Sequence, residues 1–382
     1  SFFIMTKTKT VLSSVKSYQG CNFFRQRLTL ATLSGIAVRI TDIRVNSDEP
    51  GIKEFEASFL RLLDKLTNGS KIEVSESGTS ILYIPGLLIG GDFDHECSVE
   101  RSIGYFLEGI LPLAPFCKNP LNIILKGVTN DKNDISVDNI KFVTLALMKK
   151  FGLDEGLELN IRKRGAKPEG GGEIQFKCPV RRKLQPLLFV DQGKFKRIRG
   201  TAYCMKVAPA FVNRLVDSSR SVLNKFLPDI YIYTDHAKGI HSGNSPGFGI
   251  SLMVESTTGV MLCVDACSNE KGKEDAVTPE DLGKAAAFDL LQEVYAGGCV
   301  DSRHQSLALV YMALGQMDVS KIMLGCLTPY TVQFLRHMKD FFNIMYKIDP
   351  LRCETEESRG STEKYIISCM GVGYTNLNKT SL

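Results

Sequence analysis

Three consecutive glycines, Gly170, Gly171 and Gly172, interrupt the stretch KPEGGGEIQF at residues 167–176. Glycine loses more backbone freedom on folding than any other residue, and a single turn needs one, occasionally two. Three in a row point to a backbone that something approaches closely. Arg162, Arg164 and Lys167 stand beside them, so the expected visitor is an anion held by bare N–H groups. A glycine hairpin where two elements pack closely has equal weight on the loop alone; the surrounding charge favours the anion. The loop is not a Walker A site, which needs Gly-Lys-Ser/Thr opening a helix.

The second candidate is GCLTPYTVQFLRHMKDFF, residues 325–342. Thr328 reads as an N-cap and Pro329 as the first helical residue, which puts Tyr330 and Thr331 in the first turn. A helix N-terminus attracts anions. Arg336, His337 and Lys339 follow on the same helix and form a ribonuclease alternative, since RNA cleavage needs a base, an acid and a charge stabiliser. Tyr330 alone reads as a half-buried tyrosine and not as a nucleophile: a phenol titrates near ~10 and no base adjoins it. The histidines at 95, 236, 241, 304 and 337 show neither a Ser/Asp or Cys partner pattern nor metal spacing. DHECS (94–98) reads as a helix N-cap and loop, and no metal site is expected.

Charge is unevenly placed. The net charge is +5, yet thirteen Lys and Arg against three acids lie between Arg162 and Lys206. Such a block is a footprint for phosphate, foremost nucleic acid; a solvated basic face is the alternative. Eleven cysteines without a Cys-x-x-Cys pair read as free thiols in a reducing compartment. No apolar run approaches the ~18 residues of a membrane helix, so a soluble protein is expected. Residues 1–17 read as a flexible tail, with a transit peptide the lesser alternative.

These residues need a scaffold. Strands are expected at 121–127, 157–164, 172–180, 230–236, 249–256, 259–266 and 364–374, bounded by Gly, Pro or Asn. Helices are expected behind Pro209 and behind Thr278-Pro279, the latter ending at Gly297-Gly298. The alternation argues an α/β or α+β fold. Residues 99–127 and 137–165 share the order helix, loop, strand, a weak internal repeat. The division is a tail at 1–17, a large domain at 18–186 and 278–376, and an inserted small α/β domain at 187–277.

YQGCNFFRQRLTLATLSG (18–35), LKGVTND (125–131), the loop RKRGAKPEGGGE and GGCVDSRHQSLALVYMALG (297–315) occur in this order. Together they resemble the RNA 3′-terminal phosphate cyclase family from about Tyr18 to Tyr374. The resemblance implies repeated units, each a four-stranded sheet backed by two helices, plus an inserted α/β domain. It also implies a chemistry: a histidine attacks the α-phosphorus of ATP, AMP passes to an RNA 3′-phosphate, and the 2′-hydroxyl closes a cyclic phosphodiester. The family carries that histidine in Gly-x-x-Thr-x-His-Thr. Here Gly325, Thr328 and Thr331 match, but Tyr330 occupies the histidine position. The family's Asp-x-Tyr-x-x-Asp-Gln-Leu, whose Tyr, Asp and Gln hold the nucleotide, gives Arg303, Ser306 and Leu307 in the frame from Asp301. Its early Gly-Gly-Gln reads Gly20-Cys21-Asn22.

FEASFLRLLDKLTNGS, residues 228–236 and SPGFGISL resemble a non-catalytic eukaryotic branch. For that branch the resemblance implies early pre-rRNA processing in small-subunit (40S) ribosome biogenesis, in the nucleus and nucleolus. The implied partners are pre-ribosomal RNA and processome proteins, including a large nucleolar GTPase; no cofactor is implied. Candidate RNA or phosphate contacts are Arg25, Arg164, Lys167, Gly170, Gly171, Gly172, Lys196 and Arg197.

Overall fold

The computed structural model of the chain describes residues 15–270, 272–273, 275–351 and 363–376. Within them, three units follow one plan, strand, helix, strand, helix, strand, strand. The first contains strand Lys16–Gln19, helix α1 (Phe24–Ser34), strand Val38–Thr41, helix α2 (Glu54–Leu66) and strands Lys71–Val74 and Ile81–Ile84. The second contains strand Gly90–Glu96, α3 (Ile103–Ile110), strand Asn119–Gly127, a helical run α4 over 137–149 and strands Glu158–Lys163 and Gly172–Cys178. Its Ile140–Thr144 turn is π-helical.

The third unit begins with Leu188–Phe189 and is then interrupted. The insertion holds strand Phe195–Met205, α5 (Ala210–Leu223), strands Ile230–Ala237, Gly247–Ser256 and Met261–Cys267, and α6 (Pro279–Ala296). The third unit resumes with α7 (Gln305–Leu314), strand Val319–Leu324, α8 (Pro329–Phe342) and strands Lys347–Leu351 and Lys364–Met370.

Each unit sheet has the spatial order first, second, fourth, third strand. The first two strands run parallel, and the other pairings are antiparallel. This follows from the connections: a parallel pair needs a crossover, here a helix or the whole insertion, whereas antiparallel strands can be joined by a turn. Gly172–Cys178 alternates inward Ile174, Phe176 and Cys178 with outward Gln175 and Lys177, as a strand with one covered face must. Caps fall where the sequence places them: Thr278 Oγ1 accepts the Asp281 N–H and Thr328 Oγ1 the Thr331 N–H, both at 3.1 Å. One apolar core runs through all units, with Phe59, Phe106, Phe116, Phe151, Phe176 and Tyr311 fully buried.

Several expectations need correction. The repeat is a whole six-element unit; 99–127 and 137–165 are two halves of the second one. Short strands such as KSYQ and VRIT carry too little pattern to reveal the first. The insertion's edges also move. Leu188–Phe189 pairs with Val319–Leu324 in the third sheet, while α6 packs on the inserted sheet and α5. The inserted unit therefore runs from Phe195 to Ala296 and not over 187–277. Asp94, His95 and Glu96 end a strand, not a loop before a helix. Lys16–Gln19 pairs with Val38–Thr41, so the tail ends before residue 16; residues 1–14 lie outside the described residues.

Gly283 marks where α6 meets α5. A Cβ there would stand 2.0 Å from Ser218 Oγ and 2.5 Å from the Leu215 carbonyl oxygen. We expect Gly283→Val to force the helices apart, costing about 1–3 kcal/mol and lowering the urea midpoint. An unchanged midpoint would mean that the helix contact can yield without loss.

Candidate functional site

The glycine loop receives protein, not an open space. Gly172 faces Gly127 across the second sheet, and a Cβ on Gly172 would lie 2.8 Å from the Gly127 oxygen. Gly170 and Gly171 have φ of +61° and +77°, values that glycine adopts at no steric cost. The Gly170 N–H donates to the Ala166 oxygen at 2.8 Å, and the Glu169 N–H to Ser245 Oγ at 3.1 Å. The Asn244 N–H donates to the Gly170 oxygen at 3.0 Å. What comes close to this backbone is the 243–245 loop of the inserted unit and the end of strand Asn119–Gly127.

The candidate phosphate contacts do not converge. Arg164 is buried, with two N–H···O bonds of 2.8 Å to Asp138 and a third of 2.6 Å to Asp235. Lys167 Nζ sits 3.2 Å from Asp131 and donates to the Glu100 oxygen at 2.7 Å. Lys196 and Arg197 share Glu255, at 2.9 and 2.6 Å, on the inserted sheet. Arg25 lies elsewhere, 2.7 Å from Glu108, donating to the Tyr105 oxygen and stacked on the Tyr105 ring. Burial works against its charge, but Glu108, Tyr330, Tyr105 and Asp134 together outweigh burial and hold its guanidinium above the usual value. Six of the block's thirteen cations, Arg164, Lys167, Lys177, Lys196, Arg197 and Arg199, meet carboxylates drawn from other segments, a pairing that composition cannot reveal.

The segments that carry the cyclase-like motifs do converge. Arg25, Gln26, Arg303, Ser306, Leu307 and Tyr330 line one cavity among α1, α7 and α8, of about 40 Å³. That holds about three waters. Leu30, Ile135, Val310 and Phe334 make much of its wall apolar. Two glutamines close the site. Gln305 accepts from the Thr328 N–H at 3.2 Å and the Thr331 hydroxyl at 2.8 Å, and donates to the Cys326 oxygen at 3.0 Å. Gln26 donates to the Tyr330 oxygen at 3.4 Å, and its Oε1 lies 2.5 Å from His337 Nδ1. Tyr330 is half-exposed and its ring rests on Phe23. A wider cleft of about 470 Å³ on the far side of Arg303 carries Asp265, Asp289 and Glu293, a set that repels phosphate.

The helix α8 cations are split. Arg336 and Lys339 face solvent, whereas His337 is fully buried between Gln26 and Gln333, the latter at 3.1 Å. The three do not meet at one accessible point. Burial, aided by Arg27, pushes the His337 imidazole down to about 4.

His304 has the partners that the sequence reading missed. Its Nδ1 lies 2.6 Å from Asp301 and its Nε2 2.7 Å from the Thr144 hydroxyl. Burial lowers its affinity for a proton, but the charge and hydrogen bond of Asp301, with Glu108 and Asp265, together hold it above the ordinary imidazole value. The hydrogen-bond order is that of a catalytic triad. Thr144, however, is 1% exposed, so the chain pins the π-helical turn of α4 to the start of α7. Asp301 and His304 were legible at a three-residue spacing; Thr144, 160 residues away, was not.

The family model for RNA 3′-terminal phosphate cyclase matches residues 16–348. The chain belongs to the RNA 3′-terminal phosphate cyclase family. It is 58% identical over 365 residues to the human protein named RNA 3′-terminal phosphate cyclase-like protein, covering 95% of this chain and 97% of that one. A Drosophila melanogaster protein, named as a probable member of the same kind, is 52% identical over 370 residues, at 95% and 96% coverage. The rRNA processing protein rcl1 of Schizosaccharomyces pombe is 44% identical over 369 residues, covering 96% and 98%. The cavity brings together Arg303, Ser306, Leu307 and Tyr330, the positions that the family resemblance reads as nucleotide contacts and nucleophile.

Neutral burial of His337 has a pH signature. Its folded value of about 4 lies below the ordinary 6.5, so the unfolded chain takes up the proton first. The stability this confers is full above about pH 6.5 and is lost as pH falls toward 4. Each such group adds up to about 1.4 kcal/mol per pH unit within that window; buried His95, also near 4, adds a second. We expect His337→Gln to remove one proton's worth of this slope in urea unfolding between pH 6.5 and 4.5. An identical slope would place a proton on His337 in the folded state.

Proposed function

We propose that the chain acts in rRNA processing as an RNA- and protein-binding member of its family that does not perform cyclase chemistry. The observation that carries this reading is the cavity: about 40 Å³, apolar in much of its wall, with Leu307 and Arg303 at the nucleotide-contact positions and Tyr330 at the nucleophile position. The cavity itself is far smaller than the 300–1,000 Å³ of common ligand pockets, and the adjoining cleft of about 470 Å³ sets Asp265, Asp289 and Glu293 against an adenylate's phosphates. The name of the fission-yeast relative supplies the process. In the finer form of the proposal, the chain works in the nucleolus on the small-subunit precursor, alongside processome proteins that include a GTPase. Arg336, His337 and Lys339 would serve the ribonuclease alternative, and sealed His337 leaves that reading without an accessible base.

Two measurements test the proposal. With labelled ATP and magnesium, the purified protein is expected to form no covalent AMP adduct. Tyr330→His alone is expected not to restore one. It returns a nitrogen nucleophile to a helix N-terminus but leaves the nucleotide unpositioned, and positioning contributes about 7–11 kcal/mol in well-oriented reactions. Arg303→Tyr, Ser306→Asp and Leu307→Gln would have to accompany it. Robust AMP transfer by the single variant would sink the non-catalytic reading. Labelled pre-rRNA fragments should be bound with a steep salt dependence and recovered uncut; specific cleavage products would install the ribonuclease in its place.

A further inference from the structure

The inserted sheet ends in strand Ile230–Ala237, an edge with no further partner strand among the described residues. Its alternation is informative. Ile230 and Ile232 are buried, whereas Tyr231 and Tyr233 are 63% and 58% exposed. Two tyrosines thus stand on one face, two residues apart, about 6.6 Å along the strand. Across from Tyr233, α4 presents Phe142, 45% exposed. Between the two elements lies a cleft of about 230 Å³, lined by Lys141, Phe142, Arg162, Lys163, Tyr233 and His241. It is the junction between the inserted unit and the second unit, and the segment 135–144 serves both sites: Ile135 and Thr144 line the cyclase-type cavity, Asp138, Lys141 and Phe142 this cleft.

The electrostatics of this cleft differ from those of the glycine loop. Its two carboxylates, Asp138 and Asp235, are both held by Arg164. Arg162 is tied to Glu173 and Gln175 along its own sheet. Lys141 and Lys163 have no carboxylate within ion-pair distance among the described residues, and Lys238 is exposed beside them. The lining cations Lys141, Arg162, Lys163 and Arg164 outnumber Asp138, Asp235 and the Glu173 tied to Arg162 by one, and exposed Lys238 follows at the end of the edge strand, which leaves a positive cleft with aromatic faces in its wall.

We propose that this cleft binds single-stranded RNA, with bases stacked on Tyr231, Tyr233 and Phe142 and phosphates met by Lys141 and Lys163. Aromatic platforms set in a positive groove are the means by which proteins hold unpaired nucleic acid. A duplex keeps its bases stacked inside and offers such rings nothing to stack on. The two-residue spacing of the tyrosines suits successive bases of a stretched strand. An acidic peptide would use the lysines but leave three exposed rings unexplained. The proposal deepens the RNA-binding reading given above and rests on it.

The test uses the full chain and fluorescence anisotropy with a short labelled single-stranded RNA, and with the same sequence annealed as a duplex. The double variant Tyr231→Ala/Tyr233→Ala is expected to weaken single-strand binding by about 30-fold or more while leaving the salt slope unchanged. Lys141→Glu/Lys163→Glu is expected to weaken binding and flatten the slope by ~1.4, two phosphates at ~0.7 each. All four side chains are solvent-facing or partly so, and matching melting temperatures exclude misfolding. Lys196→Glu/Arg197→Glu, on the inserted sheet but outside the cleft, should bind as the unaltered protein does. Binding by the unaltered protein with equal affinity in every cleft variant would overturn the site but spare the RNA-binding reading. Absence of any single-strand binding at low salt would overturn both. Equal RNA affinity together with loss of a co-purifying protein would assign the cleft to a protein partner and overturn the proposal.

Discussion

The guanidinium of Arg164 lies almost wholly out of solvent, bonded twice to Asp138 of α4 and once to Asp235 on the edge strand of the insertion, and stacked on Tyr203. Asp138 belongs to the second unit, and Asp235 and Tyr203 belong to the inserted sheet. The glycine loop begins one residue later, and its tight backbone turns let the 243–245 loop of the insertion close over the same seam. Removing one partner would leave a buried charge alone, at a cost of about 3–5 kcal/mol. The joint therefore fixes where the insertion sits, and with it the cleft between Tyr233 and Phe142. The charge that looks in sequence like a ligand contact is the fastening of the two units.

The cyclase-type site is governed by a different substitution of roles. Gln305 and Gln26 occupy hydrogen-bonding capacity around the start of α8 that a ligand would otherwise compete for, while Leu307 contributes apolar wall. α1, α7 and α8 meet at this cavity through Leu30, Val310 and Phe334.

Much of this was legible in the sequence, and the failures have physical causes. Thr278 and Thr328 announce their helices because capping is local, a hydroxyl meeting an N–H three residues on. The strand Gly172–Cys178 is legible because one face is covered, which forces alternation. Tyr330, Arg303 and Leu307 could be placed at one site because the motifs carrying them keep family order. The partners of Arg164, Lys196 and Arg197 were not legible: Asp138, Asp235 and Glu255 lie tens of residues away, and a local charge count is blind to them. Likewise the reason for three glycines could not be read locally, since the segments that press on them are Gly127 and 243–245.

The insertion interrupts the third unit between its first strand and its first helix. The Leu187 N–H donates to Ser320 Oγ across a separation of 133 residues, and Leu188–Phe189 pairs with its neighbour across the same gap. In a disordered chain such a closure is slow, because contacts of large sequence separation must bear their loop entropy before any packing rewards them. A folded insertion shortens the effective loop, since its ends are brought together by its own sheet and helices. The sheets of the first two units and of the insertion pair strands from within their own spans, whereas the third sheet, which with α7 and α8 carries the floor of the cavity, needs strands from both sides of the insertion.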